Sequence, residues 1–407
     1  MLIDHLTQRL RERAAAGLQR QRRTVETACA PRQRVSHGAA ATQPRDLLAF
    51  CSNDYLGLAN HPRVAQALAE GARRWGAGSG ASHLISGHSR AHAALEDLLV
   101  QWMQPAIVRA NVLTFCTGYM ANLALLTALA DRRATIFSDR LNHASLIDGA
   151  LLARTEVQRF PHRDLAALQR QLQACTNPLR LIVSDTVFSM DGDLADLPAL
   201  LALAERYDAW LILDDAHGFG VLGAHGQGSL AHFGLRSERL ILMGTLGKAA
   251  GVGGAFVAAH EVIIDWLVQT ARPYVFTTAA PPALAHAAQA SLELIAGEDG
   301  ARRRALLRQH IARLRQGVSA LLADHPGLGW RLADSDTAIQ PLIVGDAARA
   351  MALSAALEAQ GLWIAAIRPP SVPPGTSRLR ITLSAAHRSE DIERLLAALR
   401  QIAQEWR

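Results

Sequence analysis

Residues 210–218 read WLILDDAHG and residues 240–248 read LILMGTLGK. In each stretch, four apolar residues are followed at once by polar or small ones. Continuous apolar runs of this length are typical of strands buried on both faces of a parallel sheet. Because ligands bind at the carboxyl ends of the strands in open α/β sheets, we expect Asp214, His217 and Lys248 to meet at one edge of a sheet.

Similar apolar runs recur through the middle of the chain, with helical patterns such as Ala121–Ala130 and Leu194–Tyr207 between them. This alternation predicts an α/β domain over residues 45–282, in which helices flank a mostly parallel central sheet. The predicted strands are Val112–Cys116, Ala134–Ser138, Leu181–Ser184, Trp210–Leu213, Leu240–Met243 and Gly254–Ala258.

The two ends of the chain have different patterns. Residues 1–44 predict an N-terminal helix over Ile3–Arg23 and an arm, Thr24–Pro44, of loop or short strands. Residues 283–407 predict a smaller C-terminal α+β domain, which follows a long helical region over Pro282–Asp324. Its predicted strands lie near Ile339–Val344, Trp363–Ile367 and Leu379–Leu383, and its predicted helices are Ala347–Gln360 and Ser389–Glu405.

Composition narrows the classes of function. The 407 residues carry a net charge of +6, but the arginines are spread along the chain without a nucleic-acid motif, which predicts no nucleic-acid partner. No apolar run reaches the roughly 18–20 residues that span a bilayer, so we expect no membrane span. The four cysteines are scattered and form no CxxC pair, which favours the reducing cytoplasm.

Three histidines, His83, His88 and His92, lie close together in the sequence. An i, i+4 pair of histidines is one half of a common metal-binding pattern. Because no carboxylate joins these residues in a recognised spacing, we predict no metal site here.

Lysine use is more informative than overall charge, because Lys248 is the only lysine in the chain. An arginine cannot replace it in imine chemistry, since a guanidinium stays protonated, whereas a desolvated lysine can act as an amine. A lysine amine, a carboxylate such as Asp214 and a Gly-containing helix start at Thr117-Gly118-Tyr119 form the set that pyridoxal 5′-phosphate (PLP) requires. The amine takes the aldehyde, the carboxylate keeps the ring nitrogen protonated, and the helix start binds the phosphate.

These residues also carry a resemblance to a known family. The run Asp214–Gly220 followed by Gly244–Lys248 resembles the α-oxoamine synthases, which are PLP enzymes of fold type I, the aspartate-aminotransferase fold. The likeness covers nearly the whole chain. Its other motifs are Ser52–Leu58, Asn142–Ser145, Val187–Asp193 and Arg378–His387.

The resemblance implies roles for individual residues. Lys248 holds the cofactor as a Schiff base, Asp214 pairs with the pyridine nitrogen, and His143 stacks on the ring. His217 and Ser189 hydrogen-bond the phenolic oxygen, so the implied catalytic residues are Lys248, His143, Asp214 and His217. The other implied cofactor-binding residues are Thr117, Gly118, Tyr119 and Thr245, together with Thr277 and Thr278, which cross the interface of a homodimer in this family.

The substrates are implied by the loop Ala366–Pro373, which is similar to the branch that joins L-alanine to a pimeloyl thioester in biotin synthesis. In that branch Arg368 would hold the alanine carboxylate by a bidentate pair. Arg20, Asn53 and Ser371 are the candidates for contacting the acyl substrate, with Arg20 near its distal carboxylate. Asp185 stands where a glutamate is more usual, and its role stays open.

Other enzyme activities remain compatible with these motifs. Glycine-using relatives, glycine C-acetyltransferase and 5-aminolevulinate synthase, differ in amino acid and acyl chain, and an aminotransferase would use the same lysine and aspartate without a thioester. The sequence does not decide whether the acyl group is carried by coenzyme A or by an acyl carrier protein. The basic residues at Arg20–Arg23 favour an acidic carrier.

Borohydride reduction of the cofactor-loaded protein should attach one PLP per chain, on the peptide that contains residue 248. Lys248 is the only side-chain amine, and reduction makes its bond to the cofactor permanent. Peptide mapping by mass spectrometry locates the label, with an unreduced sample as the control. Label on any other peptide, the amino terminus included, would contradict the assignment.

Overall fold

The computed structural model describes residues 1–15, 18–20, 22–37 and 43–406. The strands are β1 (Arg23–Val25), β2 (Arg32–His37), β3 (Arg45–Ala49), β4 (Ala110–Phe115), β5 (Ala134–Asp139), β6 (Glu156–Phe160), β7 (Leu179–Asp185), β8 (Ala209–Asp214), β9 (Leu240–Thr245), β10 (Ala255–His260), β11 (Arg331–Leu332), β12 (Ile339–Gly345), β13 (Leu362–Trp363), β14 (Ala365–Ile367) and β15 (Ser377–Thr382). The helices are α1 (Leu2–Ala15), α2 (Pro62–Trp75), α3 (Arg90–Met103), α4 (Gly118–Leu129), α5 (Ala144–Leu152), α6 (Leu165–Ala174), α7 (Leu197–Arg206), α8 (Ser229–His232), α9 (Glu261–Thr270), α10 (Arg272–Val275), α11 (Pro282–Ala296), α12 (Glu298–Asp324), α13 (Ala347–Ala359) and α14 (Ser389–Glu405). A π-helical turn, His83–Gly87, and a 3-10 turn, Pro326–Leu328, complete the set.

The central sheet has seven strands in the order β4-β10-β9-β8-β7-β5-β6. The β5, β6, β7, β8 and β9 pairings are parallel, whereas β10 is antiparallel to both of its neighbours. Parallel neighbours need crossover connections, which the intervening helices provide. The predicted fold class, a mostly parallel sheet flanked by helices, is confirmed.

Both faces of this sheet are buried. In β8, Ile212 packs into one apolar cluster with α4, α5 and α9, while Leu211 and Leu213 pack into another with α3, α6, α7 and α11. All three side chains have no exposed surface. Burial on both faces explains why the central strands are continuously apolar rather than alternating.

The six strands predicted in the middle of the chain are confirmed, but β6 was not predicted. This edge strand reads EVQRF, and only Phe160 in it is buried, so it has no apolar run that a pattern could detect. Helix α7 begins at Leu197 rather than at Leu194, because the carboxylate of Asp196 caps it by accepting from the N–H of Ala199 at 3.2 Å.

The C-terminal region contains an antiparallel sheet in the order β11-β12-β15-β14, with α13 packed against it and α14 packed against α12 and α13. The helical region predicted over Pro282–Asp324 is two helices, α11 and α12. They meet at Gly297, whose backbone is extended (φ −82°, ψ −172°), so the helix cannot continue through it.

A third sheet, in the order β1-β2-β3-β13, joins the N-terminal arm to the C-terminal region. The strand predicted over Trp363–Ile367 is divided here: β13 pairs in parallel with β3, and β14 pairs with β15. Ile364, only 1% exposed, lies where the chain passes from one sheet to the other. The division of the chain at 44/45 and 282/283 stays a proposal.

The N-terminal helix is shorter than predicted. It ends at Ala15, and Arg23, the predicted last residue, already belongs to β1. Residues 16, 17 and 21 of the predicted helix lie outside the described residues. No side chain of α1 is buried, and a helix without packing on one face has little tertiary stabilisation to extend it. Within the described ranges, no helix is both long and apolar enough to cross a membrane.

The carboxyl ends of the parallel strands place polar residues along one edge of the central sheet. Strands β5, β7 and β8 end at Asp139, Asp185 and Asp214, and β9 ends at Thr245. The sheet therefore gathers three carboxylates that are far apart in the sequence.

A tight turn follows Lys248, in which the N–H of Gly251 donates to the carbonyl of Lys248 at 2.9 Å. Gly251 has a φ of +67°, and a Cβ at this position would lie 2.3 Å from the backbone nitrogen of Ala59. The turn therefore requires a glycine for its backbone angle and for its close approach to another segment.

Replacing Gly251 with alanine should lower the free energy of unfolding by about 2–5 kcal/mol, the sum of left-handed strain and overpacking. Gly375→Ala is the matched control, because Gly375 has a φ of +77° but nothing within 4 Å of its Cβ position. Its loss should be only about 1–2 kcal/mol. Equal losses in denaturant unfolding of the two variants would show that the close approach at Gly251 does not exist.

Candidate active site

A cavity with about 530 Å³ of empty space lies at the carboxyl edge of the central sheet. It is bounded by the ends of β5, β7, β8 and β9 and by the first turn of α4. Polar and titratable side chains line most of it. The lining residues are Gly118, Tyr119, Asn122, His143, Ser145, Asp185, Ser189, Asp214, Ala216, His217, Met243, Thr245 and Lys248.

The structure brings together most of the residues that the sequence predicted for cofactor binding. In this cavity it places Lys248, Asp214, His217, His143, Ser189, Gly118, Tyr119 and Thr245. Thr117 lies immediately before α4 and caps it, its hydroxyl accepting from the N–H of Met120 at 3.2 Å. The remaining predicted site residues, Thr277, Thr278, Arg20, Asn53, Arg368 and Ser371, do not line this cavity.

Lys248 is half-buried, with its Nζ 2.9 Å from Nε2 of His217. Burial lowers the pKa of Lys248, and so does the positive charge of Arg380, against the opposite effect of Asp214 and Asp185. Removal from water penalises the charged ammonium form. The amine is therefore closer to the neutral, nucleophilic state than an exposed lysine.

His217 connects Lys248 to a chain of polar residues. Its Nδ1 lies 2.6 Å from the hydroxyl of Tyr55, which is also 3.1 Å from the amide oxygen of Asn53. Burial lowers the pKa of His217 well below its ordinary value, and the charges of Lys248 and Arg380 act in the same direction. A neutral imidazole here can accept a hydrogen bond on one ring nitrogen and donate a hydrogen bond from the other.

Arg380 is the buried cation of the site, 7% exposed. Its guanidinium donates to the amide oxygen of Asn53 at 3.2 Å and to the carbonyl of Ser189 at 2.5 Å. Sequence reasoning assigned no role to Arg380 or Tyr55, although both lie in motifs that carry the family resemblance. Asn53, predicted to contact the acyl substrate, lies between them.

Asp214 is held in position by two donors. Its Oδ2 accepts from the side-chain amide of Asn122 at 2.7 Å, and its Oδ1 accepts from the N–H of Ala216 at 3.0 Å. The Asn122 amide also donates to the hydroxyl of Ser145 at 2.8 Å. The sequence did not reveal that Asn122 lines the cavity and holds Asp214, because nothing in the surrounding apolar helix α4 distinguishes it from a buried packing residue.

Asp185, whose role the sequence left open, fixes the backbone of His143. Its Oδ2 accepts from the N–H of His143 at 2.7 Å. Burial raises the pKa of Asp185 well above its usual range, and the charge of Asp214 adds to this. Burial lowers the pKa of His143, which is neutral at physiological pH and 2.8 Å from the hydroxyl of Ser145.

The loop that carries Ser189 is held from β15 of the C-terminal sheet. Arg378 forms an ion pair with Asp191 at 2.6 Å and donates to the carbonyl of Met190 at 3.0 Å. Together with the Arg380 contact to Ser189, these bonds make one wall of the cavity depend on the C-terminal region.

These groups fit PLP. The amine of Lys248 can take the aldehyde, and the fixed carboxylate of Asp214 can pair with the ring nitrogen. The first turn of α4 leaves N–H groups free to bind a phosphate. Gly118 itself lines the cavity at the start of this turn, beside Tyr119.

A second cavity holds three of the predicted substrate residues. Arg20, Arg368 and Ser371 line it together with Arg13. The guanidinium of Arg368 is 3.5 Å from the carbonyl of Gln19, and its Nε finds no hydrogen-bond partner among the described residues. Arg20 and Arg368 thus share one cavity, whereas Asn53 lies between Tyr55 and Arg380.

Thr277 and Thr278 follow α10, and the carbonyl of Thr278 accepts from the thiol of Cys116 at 3.5 Å. Their predicted contact is with the phosphate of another subunit.

The histidines of the sequence cluster, His83, His88 and His92, lie together outside the cavity. Their nitrogen atoms that could bind a metal are within 4.8 Å of one another. A carboxylate, which the sequence pattern did not indicate, also approaches, since Glu96 Oε2 is 3.8 Å from His88 Nε2. Both ring nitrogens of His92 already face partners, Ser89 on one side and the carbonyl of Ala280 on the other. Coordination of a metal would require His92 to give up one of these bonds.

Comparison with known proteins identifies the family. The chain matches the family model described as aminotransferase class I and II over residues 45–399. It is 69% identical over 406 residues to the 8-amino-7-oxononanoate synthase of Leptothrix cholodnii, and 70% identical over 406 residues to 8-amino-7-oxononanoate synthase 2 of a Polaromonas species. Each of these alignments covers 100% of both chains.

Solved structures share the architecture. A high-resolution structure of SPT with a PLP internal aldimine superposes with a TM-score of 0.89 at 26% identity, covering 99% of this chain and 98% of that one. The 8-amino-7-oxononanoate synthase of Francisella tularensis superposes with a TM-score of 0.72 at 27% identity, covering 88% of this chain and 97% of that one.

The resemblance to the α-oxoamine synthases, the fold and the cofactor predicted from the sequence are thereby confirmed. The chain belongs to the class I and II aminotransferase family and, within it, to the PLP-dependent 8-amino-7-oxononanoate synthases.

Proposed function

We propose that the chain condenses L-alanine with a pimeloyl thioester to give 8-amino-7-oxononanoate, CO2 and the free thiol, a reaction of biotin biosynthesis. The observation that carries this proposal is the convergence of Lys248, Asp214 and His217 in one cavity of a chain that is full-length similar to synthases of that name. The fold alone would also suit an aminotransferase, so the substrates come from the family.

The cofactor-binding roles predicted from the sequence are proposed here for the cavity. When bound, PLP supplies an aldehyde for amines and a ring that accepts the electron pair released at the substrate Cα. Lys248 holds the aldehyde, Asp214 pairs with the ring nitrogen and His143 lies on the ring face. His217 and Ser189 bind the phenolic oxygen. Around the phosphate lie Thr117, Gly118, Tyr119 and Thr245, with Thr277 and Thr278 supplied by the other subunit.

Lys248 is the residue placed to move the proton. Its neutral amine, which the lowered pKa of Lys248 favours, would take the proton from the alanine Cα. A bond forms between this Cα and the thioester carbonyl carbon, the C–S bond breaks, and the sulfur leaves as a thiolate that takes its proton from water. The carboxylate then leaves as CO2, and Lys248 returns a proton to Cα. His143 donates a hydrogen bond to a substrate oxygen in these steps.

Three of the four proposed substrate contacts lie in the second cavity, whereas Asn53 lies beside Tyr55 and Arg380. Arg368 holds the alanine carboxylate, Arg20 approaches the distal carboxylate of the acyl chain, and Ser371 and Asn53 contact the acyl substrate. Arg380 is an alternative for the alanine carboxylate, because its charge already acts on Lys248 and His217. Arg368 does not line the cavity that contains Lys248 but shares the second cavity with Arg20.

We also propose a homodimer in the cytoplasm. Ile85 and Phe276 are 81% and 72% exposed, which is unusual for large apolar side chains. They lie on adjacent elements, since His83 of the π-helical turn stacks on Tyr274 of α10 with ring centroids 4.9 Å apart. This apolar surface is next to Thr277 and Thr278, the residues proposed to reach the other subunit. The four cysteines are free, in keeping with a reducing compartment.

An acyl carrier protein is proposed as a possible donor of the pimeloyl group. The exposed residues Arg9, Arg11, Arg13, Arg20 and Arg22 present positive charge, and Arg13 and Arg20 line the second cavity, so this surface would attract an acidic carrier.

Purified protein with PLP, pimeloyl-CoA and L-alanine should yield 8-amino-7-oxononanoate with release of one thiol and one CO2 per product. Glycine and L-serine in place of alanine, and acetyl-CoA in place of pimeloyl-CoA, are the controls. Mass spectrometry identifies the product, and a thiol reagent counts the release. Turnover with glycine alone would move the activity to a sister synthase, and amino transfer to a keto acid without thiol release would indicate an aminotransferase.

Replacing Arg368 with alanine should raise the KM for alanine by about 10- to 100-fold, the loss of a charge-assisted hydrogen bond of about 1.5–3 kcal/mol, and leave the KM for the thioester nearly unchanged. Arg20→Ala should raise the KM for the thioester instead. Arg132→Ala is the matched control, because Arg132 is exposed and lines neither cavity. If Arg368→Ala affected the thioester KM alone, Arg380 would be left as the ligand of the alanine carboxylate.

A further inference from the structure

His162 lies outside the cofactor cavity, between two carboxylates from different parts of the sheet edge. Its Nδ1 is 3.1 Å from both oxygens of Asp139, at the end of β5, and its Nε2 is 2.9 Å from Oδ2 of Asp193, in the loop after β7. The ring packs edge-on against Phe188, with centroids 4.3 Å apart. A carboxylate only accepts, so both ring nitrogens must donate, and only the doubly protonated imidazolium can do so.

The first carboxylate fixes the turn that leads to His143. Asp139 is 1% exposed and accepts from the N–H of Leu141 at 2.8 Å and from the N–H of Arg163 at 3.0 Å. The turn continues into Asn142, which is bonded to the end of β7 through the carbonyl of Val183. Because His143 is the next residue, its place in the cavity depends on this turn.

The second carboxylate fixes the loop that carries Ser189. The carbonyl of Asp193 accepts from the N–H of Phe188 at 3.0 Å, which closes the loop on itself. Its carboxylate is held by His162 and, at 3.2 Å, by Arg163, whose side chain is 51% exposed. Its other oxygen, Oδ1, is buried and has no partner among the described residues. The more deeply placed His162 is therefore the main anchor of this loop on the β5 side.

We propose that His162 is a positioning residue, which through Asp139 and Asp193 sets the separation of His143 and Ser189 across the cofactor cavity. It touches neither substrate nor cofactor. The inference deepens the proposed function, since it rests on the roles proposed there for His143 and Ser189.

The groups facing His162 determine how its effect depends on pH. They are the carboxylates of Asp139 and Asp193, the guanidinium of Arg163 and the ring of Phe188. Burial lowers the pKa of His162, but the hydrogen bonds and charges of the two carboxylates outweigh this and raise its pKa to about 9. Since this value lies above the 6.5 of a free histidine, the contribution of His162 is complete below pH 6.5 and is lost as the pH rises through about 9.

The test compares the dissociation constant of PLP in wild-type protein and in His162→Gln, at about pH 6.5 and at about pH 9.5. Glutamine keeps polarity and approximate length, but it carries no charge, and its two donors lie on one nitrogen rather than on opposite sides of a ring. At the lower pH the constant should rise about tenfold, the low end of what losing an orienting partner costs at cofactor sites. The ratio of variant to wild type should fall towards one at the higher pH, where wild-type His162 loses its proton.

His225→Gln is the matched control, because His225 is exposed and lies away from the cavity, and its ratio should stay near one at both pH values. Asp193→Asn is the second variant, for use if His162→Gln folds poorly. It keeps the contact of His162 with Asp139, so its PLP dissociation constant should rise less than that of His162→Gln. Melting temperatures of all variants separate loss of fold from loss of positioning.

A ratio near one at both pH values, or a raised ratio that does not change with pH, would overturn the role of His162. The second result would mean that the residue only supports the fold. Ser189→Ala is measured alongside: a normal PLP constant in that variant would overturn the role proposed for Ser189, so that failure of the proposed function is distinguishable from failure of this inference.

Discussion

The desolvation of Lys248 is the physical constraint on which the active site depends. An amine that takes a proton near neutral pH has to be removed from water, and the interior that removes it also contains Asp214, Asp185 and His217. Each of these groups is itself costly to bury, so each needs a partner. Asp214 has Asn122 and the N–H of Ala216, Asp185 has the N–H of His143, and His217 has Tyr55.

The central sheet makes this concentration of charge possible. Its central strands β7, β8 and β9 are apolar on both faces, so their polar residues lie mainly at the strand ends, where helix termini and loops can satisfy them. The C-terminal region completes the site from the other side, because Arg378 and Arg380 of β15 hold the loop of Ser189. Folding of the two regions and assembly of the cavity are therefore linked.

The polar partners form layers around the cofactor cavity. Nearest to it are the groups that line the cavity, and behind them are residues that orient others, such as Tyr55 behind His217. His162 belongs to a still more distant layer, because it acts on the turn before His143 and on the loop of Ser189. A chain of fixed side chains of this kind preorganises the site before substrate arrives.

The sequence by itself determined the fold class, the central strands and the principal chemical groups, because continuous apolar runs and the residues that follow them are local patterns. The unique lysine and the motif of Asp214 and His217 could be read in the same way. Only the tertiary structure decided which partners hold them. Tyr55 and His217 are 162 residues apart, and Asn122 and Asp214 are 92 apart, so their contacts follow from strand order and helix packing rather than from local periodicity. The tertiary structure also decided three local features: the edge strand β6, the end of α1 at Ala15 and the division of residues 362–367 between two sheets. A short segment has several structures of similar local free energy, and burial in the folded chain selects among them.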